Sequence, residues 1–473
     1  MYNYFTEDET MDSYTITDFE LYDIVVSGDD EERSKLKDIV LEGWVKTNRD
    51  NGSIGFIEFN DGTYFKNVQL VYNKECKDYS VLTSLKTGAA IIVKGDVSLT
   101  PGNKQPFEVI VSECRLEGDV ADDYPLQKKK HSFEFLRDIA HIRPRANTFQ
   151  AIFRVRSVLS MALHEFFQER GFIYVHTPLI TTNDGEGAGN VFDVTTHDTK
   201  DPNSFYGQKV NLTVTGQLHV EPFALAFRDV YTFGPAFRAE HSNTTRHASE
   251  FWMVEPEIAF ADLQDDMNLI EDCVKFCINY LLVSCPAEME FFNTMIDKTL
   301  FDRLHHVLDS KFQVMTYTEG VELLKKAVQE GQVFENSNIV WGMDLQSEHE
   351  RYLTEKVVDG PLFLINYPKE IKAFYMRQND DGKTVAACDL LVPAVGELVG
   401  GSQREERYDV LKNKMDELGL TKGLEWYLDT RRYGGCKHAG FGLGFDRLLM
   451  YVTGMSNIRD VQPYPRTFNT IKY

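Results

Sequence analysis

The sequence has no run of about 18 consecutive apolar residues, the least a membrane-crossing helix needs. Its opening, MYNYFTEDET, is acidic and lacks a basic region ahead of an apolar stretch, so no secretory leader is expected. Together these absences predict a cytoplasmic protein with no membrane partner. Cysteine is scarce: seven in 473 residues, too few and too scattered for a disulfide framework. Cys273 and Cys277 lie one helical turn apart in DCVKFCINYLL. No second pair follows at zinc-ligand spacing, so both read as buried thiols. No internal repeat and no low-complexity tract is present, which argues against solenoids and linker arrays. Positive charge is also in deficit. Lys and Arg number 50 against 73 Asp and Glu, a net charge of −23, so the chain as a whole is not an obvious nucleic-acid binder. Binding answers to local patches, however. One candidate is Gln127-Lys128-Lys129-Lys130-His131, with Arg137, Arg143 and Arg145 close behind; its alternative is a solvated linker.

A chain of 473 residues, 42% hydrophobic and with 32 Phe, is long enough for two or more well-filled cores. Residues 1–36 form an acidic extension, a short decoration or partly disordered. From 37 to 118 the pattern is all-β. DIVLEGWVKTNR, GSIGFIEFND, KNVQLVYN, AAIIVKGDVSLT and FEVIVSECRLEG are five strand candidates, separated by turn signals such as Asp50-Asn51-Gly52, with a helix near 74–86. Five strands and one helix is the count of an OB-fold, which binds single-stranded nucleic acid on one face. Phe56 on the second strand is placed to stack on a base, with Gln69 and Glu108 reading base edges; alternatively Phe56 is core. Residues 119–145 read as a hinge.

The texture changes at 146. In FQAIFRVRSVLSMALHEFFQERG, Phe149, Ile152, Phe153, Leu159, Leu163, Phe166 and Phe167 recur at helical spacing, and Gly171 follows where a cap belongs. The strand FIYVHTPLI comes next. Its Pro178 cannot donate to a ladder, which predicts an edge strand and, with the helix, a dimer surface. TTNDGEGAGN is a small-residue loop able to close over a substrate. Residues 262–365 mix helices with polar connections and carry no recognisable chemistry. The last hundred residues return to strands: CDLLVPAVGELVGGSQRE, then HAGFGLGFDRLLMYVTGM. In the latter, Gly440, Gly442 and Gly444 would let a flat ligand approach the backbone.

FRAEHSNTTRHASEFWMVEPE, residues 237–257, reads as a hairpin with a long polar tip. Arg238 and Glu240 are two apart on extended chain and share a face. A cation and a carboxylate side by side suit a ligand carrying both a phosphate and an amine.

Three segments in order resemble the class II aminoacyl-tRNA synthetases: the helix and strand ending at Pro178, the FRAE…RHASEF hairpin, and GLGFDR. The likeness spans about residues 37–473 and is closest to the aspartyl, asparaginyl and lysyl subclass. It implies an α+β fold: an N-terminal OB-fold β-barrel, then a class II synthetase catalytic domain over 146–473. That domain is an antiparallel sheet flanked by helices, with 262–365 as a helical or irregular insertion.

The resemblance also implies roles. Arg238 would grip the α-phosphate of ATP and Arg447 the γ-phosphate, the two catalytic cations. Phe251 would stack on adenine, Arg246 and His247 would meet phosphates or the tRNA acceptor end, Glu240 would also belong to the ATP site, and Asp389 and Glu397 would hold Mg2+ there. Glu186 would bind the α-ammonium of the amino acid, with Gln217 beside it. Phe56, Gln69 and Glu108 become anticodon readers, the Lys128–Lys130 patch a tRNA-backbone contact, and the enzyme a homodimer through the Pro178 helix–strand unit. One departure is Asp446, where many relatives carry Glu.

Asparagine is the amino acid expected. Aspartyl enzymes carry Gln-x-x-Lys where this chain has Gln217 and, three residues on, Val220. Arg404 would then donate to the side-chain oxygen of asparagine and Glu240 accept from its amide, which repels aspartate. The implied partners are L-asparagine, ATP and tRNA(Asn). The alternatives are an aspartyl or non-discriminating synthetase, a free-asparagine synthetase, or a non-catalytic RNA-binding relative.

Overall fold

Apolar and polar residues alternate along β1 (Ile39–Asp50), β2 (Ile54–Asn60), β3 (Val68–Asn73), β4 (Ala90–Leu99) and β5 (Phe107–Gly118). In the computed structural model, which describes residues 15–103, 105–183, 185, 190–196 and 205–473, these strands close a barrel in the order β1-β2-β3-β5-β4. Leu41, Val45, Ile57, Phe59, Leu70, Val93 and Val109 point inward and are buried, because period two sends every second side chain to the same face. The expected helix lies between β3 and β4 as a shorter piece, Tyr79–Ser84.

The described part of the acidic extension, from Thr15, does more than decorate. A helix spans Asp18–Ser27, with Leu21 and Val25 in the barrel core and a capping box in which Thr17 and Glu20 satisfy each other's backbone N–H groups. This barrel unit, residues 1–136, is followed by a second unit, 137–473.

The second unit is built on one sheet. Its strands are β6 (Ile173–Tyr174), β9 (Asp229–Phe237), β10 (Glu250–Ala259), β11 (Gln313–Thr316), β12 (Leu362–Pro368), β13 (Thr384–Val392), β14 (Gly396–Gln403) and β15 (His438–Gly444), while β7 (Ile180–Thr181) and β8 (Asn211–Leu212) pair apart from it. The order is β11-β12-β13-β14-β15-β10-β9-β6. The five inner pairings are antiparallel as expected, but the two edges, β11 on β12 and β6 on β9, are parallel, so the sheet is mixed. FIYVHTPLI is not one strand. It breaks into β6 and β7 around Pro178, which has no N–H for either ladder.

The helix Asn147–Glu169 turns its apolar stripe onto this unit's own core. Phe149, Ile152, Leu159, Leu163, Phe166 and Phe167 are all fully buried within one chain. That stripe is therefore not a free dimer surface; Met161, Ile173, Leu179 and Ile180 are the large apolar residues left exposed on this helix and the segment after it, among the described residues. Residues 262–365 are no detached insertion either. The helix Leu263–Ser284 packs on the sheet, and β11 and β12 extend it. Cys273 and Cys277 are buried free thiols, as read.

Two members of the basic patch are structural. Arg143 is fully buried and donates to the backbone carbonyls of Arg459, Gln462 and Pro463, while Arg137 makes a two-pronged pair with Asp460 at 2.8 and 2.5 Å. Lys128, Lys129 and Lys130 are exposed. Among the described residues no helix is long and apolar enough to cross a membrane.

Candidate active site

The β9–β10 hairpin forms as read, with Phe237 opposite Glu250 and the polar tip between them. Along β10 the residues Phe251, Met253 and Glu255 fall on one face, and that face, with β13, β14 and β15, bounds a cavity of about 550 Å³. Gly400, Gly442 and Gly444 line its floor, which keeps it flat. Gly440 does not take part: a methyl group there would run into Pro256 O and the Glu257 carboxyl.

Nine residues singled out by sequence line this one cavity: Gln217, Arg238, Glu240, Arg246, His247, Phe251, Asp389, Glu397 and Arg447. They divide it into two ends. At one end the Arg238 guanidinium lies 5.3 Å from the centre of the Phe251 ring, and Arg447 Nη1 is 3.5 Å from Glu397 Oε2. Burial pushes the Glu397 carboxyl up. The positive charges of Arg447, Lys372, Arg238 and Arg246 outweigh it, and its pKa falls below the usual range. Arg238 and Arg447 thus act on the same carboxylate from the walls of one site. Burial, aided by Arg447, lowers the His247 pKa and keeps that ring neutral near pH 7. Glu240 sits with this group, 3.9 Å from His247 Nε2.

Asp389 is buried beside Glu397, and its pKa is raised by burial against the pull of Lys372, whose Nζ donates to Oδ2 at 2.6 Å. A methyl group placed on Gly400 would lie 3.3 Å from Glu397 Oε1 and 3.5 Å from Asp389 Oδ1, so both oxygens face one spot. Two hard carboxylates around one point fit a hydrated Mg2+ that takes its other ligands from water and phosphate. Among the described residues no cluster of three or more His, Cys, Asp or Glu is set to hold a metal.

The other end is acidic. Glu255, almost fully buried, accepts from Thr215 Oγ1 and from the Gly216 N–H at 2.8 Å, and Thr215 Oγ1 in turn accepts from the Gln217 N–H. Gln217 Nε2 donates to Glu221 at 3.0 Å. Glu221 is wholly buried; Tyr427, Arg431 and His438 surround it, and the charge of Arg431 with the hydrogen bond to His438 overcomes burial and holds its pKa low. Glu255 and Lys372 were missed in the sequence. Glu255 had a signal, a carboxylate in period two with Phe251 and Met253 on a strand whose middle is largely apolar and buried; Lys372 had none.

Two expectations for the amino-acid end change, and one noted departure gains a role. Arg404 does not line the cavity. It is buried behind the wall, with Nε 3.2 and 3.1 Å from the Glu257 carboxylate oxygens, Nη1 donating to Ser402 Oγ at 2.7 Å, and its guanidinium 5.4 Å from the ring of Tyr375, which does face the cavity. Glu240 lies with the arginines and not beside Gln217, whose side chain donates to Glu221; the acid that faces the cavity at that end is Glu255. Asp446 is a brace: it accepts from Arg156 Nη1 at 2.6 Å and from the Trp252 N–H at 3.0 Å, tying the Asn147–Glu169 helix to β10. Glu186 lies outside the described residues.

In the barrel unit, Phe56 points outward and is 37% exposed, not core. Gln69 Nε2 donates to Glu108 Oε1 at 2.5 Å, on neighbouring strands of the same outer face.

Comparison with known proteins agrees with both units. Residues 133–468 match the family described as tRNA synthetases class II (D, K and N), and residues 39–117 match the OB-fold nucleic acid binding domain. The chain is 58% identical over 450 residues to an asparagine–tRNA ligase of Acetivibrio thermocellus, covering 92% of this chain and 96% of that one. It is 57% identical over 449 residues to an asparagine–tRNA ligase of Clostridium acetobutylicum, with the same coverage. Among solved structures, asparaginyl-tRNA synthetase from Pyrococcus horikoshii complexed with asparaginyl-adenylate superposes with a TM-score of 0.81 at 33% identity, over 92% of this chain and 96% of that one.

Proposed function

The chain belongs to the class II tRNA synthetases of the D, K and N type, and on that premise we propose that it activates asparagine with ATP and passes it to tRNA(Asn). It is an ATP-dependent aminoacyl-tRNA ligase. The observation that carries the residue-level reading is the polarity of one cavity: arginines at one end, an acid-lined polar pocket at the other, and a flat glycine floor between.

The first step needs no side-chain base. The carboxylate of asparagine attacks the α-phosphorus in line, and pyrophosphate leaves. Arg238 would grip the α-phosphate, where its planar fork matches the oxygens and its charge stabilises the crowded phosphorus. Arg447, with Arg246 and His247, would hold the departing phosphates, and Phe251 would stack on adenine. Asp389 and Glu397 would hold Mg2+, which neutralises phosphate charge when bound. Glu255, Thr215 and Gln217 would orient the amino acid, Glu255 facing its ammonium. Orientation and charge supply most of the rate. The 3′-terminal ribose hydroxyl of tRNA then takes the acyl group.

Preference for asparagine over aspartate follows from the charge at the acidic end. Val220, apolar and buried, stands where aspartyl enzymes place a lysine, and Arg404 is already neutralised by Glu257. A substrate carboxylate would meet Glu255, while Arg404, among the described residues, is taken up by Glu257; a carboxamide both donates and accepts. We further assign anticodon reading to the Phe56, Gln69 and Glu108 face, backbone contact to Lys128–Lys130, a cytoplasmic setting alongside tRNA, and a homodimer. The test is charging of purified tRNA(Asn) in parallel with labelled asparagine and aspartate. Label should enter tRNA from asparagine; incorporation of aspartate at an equal rate would overturn the specificity.

A further inference from the structure

The candidate phosphate carboxylates Asp389 and Glu397 sit on the two arms of the β13–β14 hairpin. Its turn, residues 393–395, is short and unfavourable on its own. Ala394 at φ 69° and Gly396 at φ 84° both occupy the left-handed region, and Ala394 does so without the freedom of glycine. Such a turn keeps its shape only where neighbours hold it. Two carboxylates from the otherwise unassigned segment 262–365 do so. Glu350 Oε2 accepts from the Glu397 N–H at 3.1 Å, and Glu355 Oε1 accepts from the Ala394 N–H at 2.9 Å.

Both glutamates belong to one continuous helical stretch, Ser347–Tyr352 and Leu353–Val358. That stretch is itself fixed, because His349, Leu353 and Thr354 are fully buried. His349 also bonds the backbone of Gln346 and of Asn336 at 3.0 and 2.9 Å. Arg351 holds the Glu355 carboxylate at 2.8 Å, orienting it toward the turn. A methyl group on Gly396 would strike Glu350 Oε2 and come within 3.0 Å of Arg246 Nη1, so Glu350 and the loop arginine meet over the same glycine.

We propose that the helical stretch 347–358 is a clamp on the β13–β14 turn, with Glu350 and Glu355 as positioning residues that aim Glu397, and through it the phosphate end of the cavity. The proposal rests on the reading of that end as the ATP site. It gives the segment 262–365 a function in ATP use, with no contact to the amino acid.

The test compares wild type with Glu350→Ala, Glu350→Gln and Glu355→Ala. Three quantities are measured: KM for ATP and for asparagine in pyrophosphate exchange, the Mg2+ concentration giving half-maximal rate, and calorimetric binding of ATP with Mg2+ in the absence of asparagine. Glu350→Ala should raise KM for ATP about tenfold, the worth of one charge-assisted hydrogen bond, weaken ATP binding by a similar factor and raise the Mg2+ requirement, while KM for asparagine stays within about twofold. Glu350→Gln keeps an acceptor for the Glu397 N–H and should show a smaller rise. Glu355→Ala, at a partly exposed site where folding is safe, should move the same quantities about threefold. Unchanged KM for ATP in Glu355→Ala, or KM values for ATP and asparagine rising together, would overturn the clamp. A wild-type protein that fails to exchange with asparagine would instead overturn the proposed function and leave ATP binding as the readout of the clamp.

Discussion

Replacing Arg238 by alanine separates chemistry from folding. The residue opens the hairpin loop, and its own N–H bonds Ser249 O at 3.0 Å, a link the substitution leaves intact. The residue is half-buried, and its guanidinium, with Nε out of solvent, meets the Phe251 ring at 5.3 Å, a contact worth about 0.5–1 kcal/mol. Stability should therefore change little. The catalytic loss should be larger. Two unit charges about 4 Å apart at an effective dielectric of about 20 attract by about 4 kcal/mol. Removing one preorganised donor from a developing anion costs about 2.7–4 kcal/mol, or about 10²–10³ in kcat. Asparagine-dependent pyrophosphate exchange should fall by that factor, with the melting temperature nearly unmoved. Arg238→Lys keeps the charge but not the fork and should fall between. Exchange by Arg238→Ala within about threefold of wild type would refute the role of this cation and the reasoning behind it.

Other perturbations probe the remaining parts. Glu221→Ala strips the partner from Arg431 in a fully buried network, so unfolding free energy in denaturant should drop by about 3–5 kcal/mol, and KM for asparagine should rise as Gln217 loses its anchor. Asp266 is buried and its pKa is raised well above the usual range by burial, so the folded state holds a proton the unfolded state has released. Its stabilising effect is complete below the unfolded pKa and is lost as pH rises through the folded one; Asp266→Asn should flatten the fall of melting temperature on going from pH 5 to pH 8. Phe56→Ala should raise KM for tRNA, since stacking one base is worth about 1–3 kcal/mol, and leave pyrophosphate exchange untouched.

What the sequence made legible was local. Period-two strands, the hairpin tip and the glycine strand follow from neighbouring residues, and so the barrel, β9, β10 and β15 were placed within a residue or two, and Arg238, Phe251 and Arg447 reached one cavity. What it hid was made by distant partners. Arg404 read as a free cation because Glu257, 147 positions away, is what neutralises it. Arg143 read as a surface charge because its acceptors lie more than 300 positions on. The apolar stripe of Asn147–Glu169 looked the same whether it met a second chain or its own core. Residues 262–365 looked empty because Glu350 and Glu355 work by holding backbone, which no motif records.

The account turns on a cavity that adenylates asparagine and refuses aspartate. Pyrophosphate exchange into ATP, measured without tRNA and with asparagine, aspartate or no amino acid, tests this most directly. The charge pattern around Gln217 and Glu255 predicts exchange with asparagine and a background rate with aspartate; equal exchange with both, or exchange with aspartate alone, would contradict it.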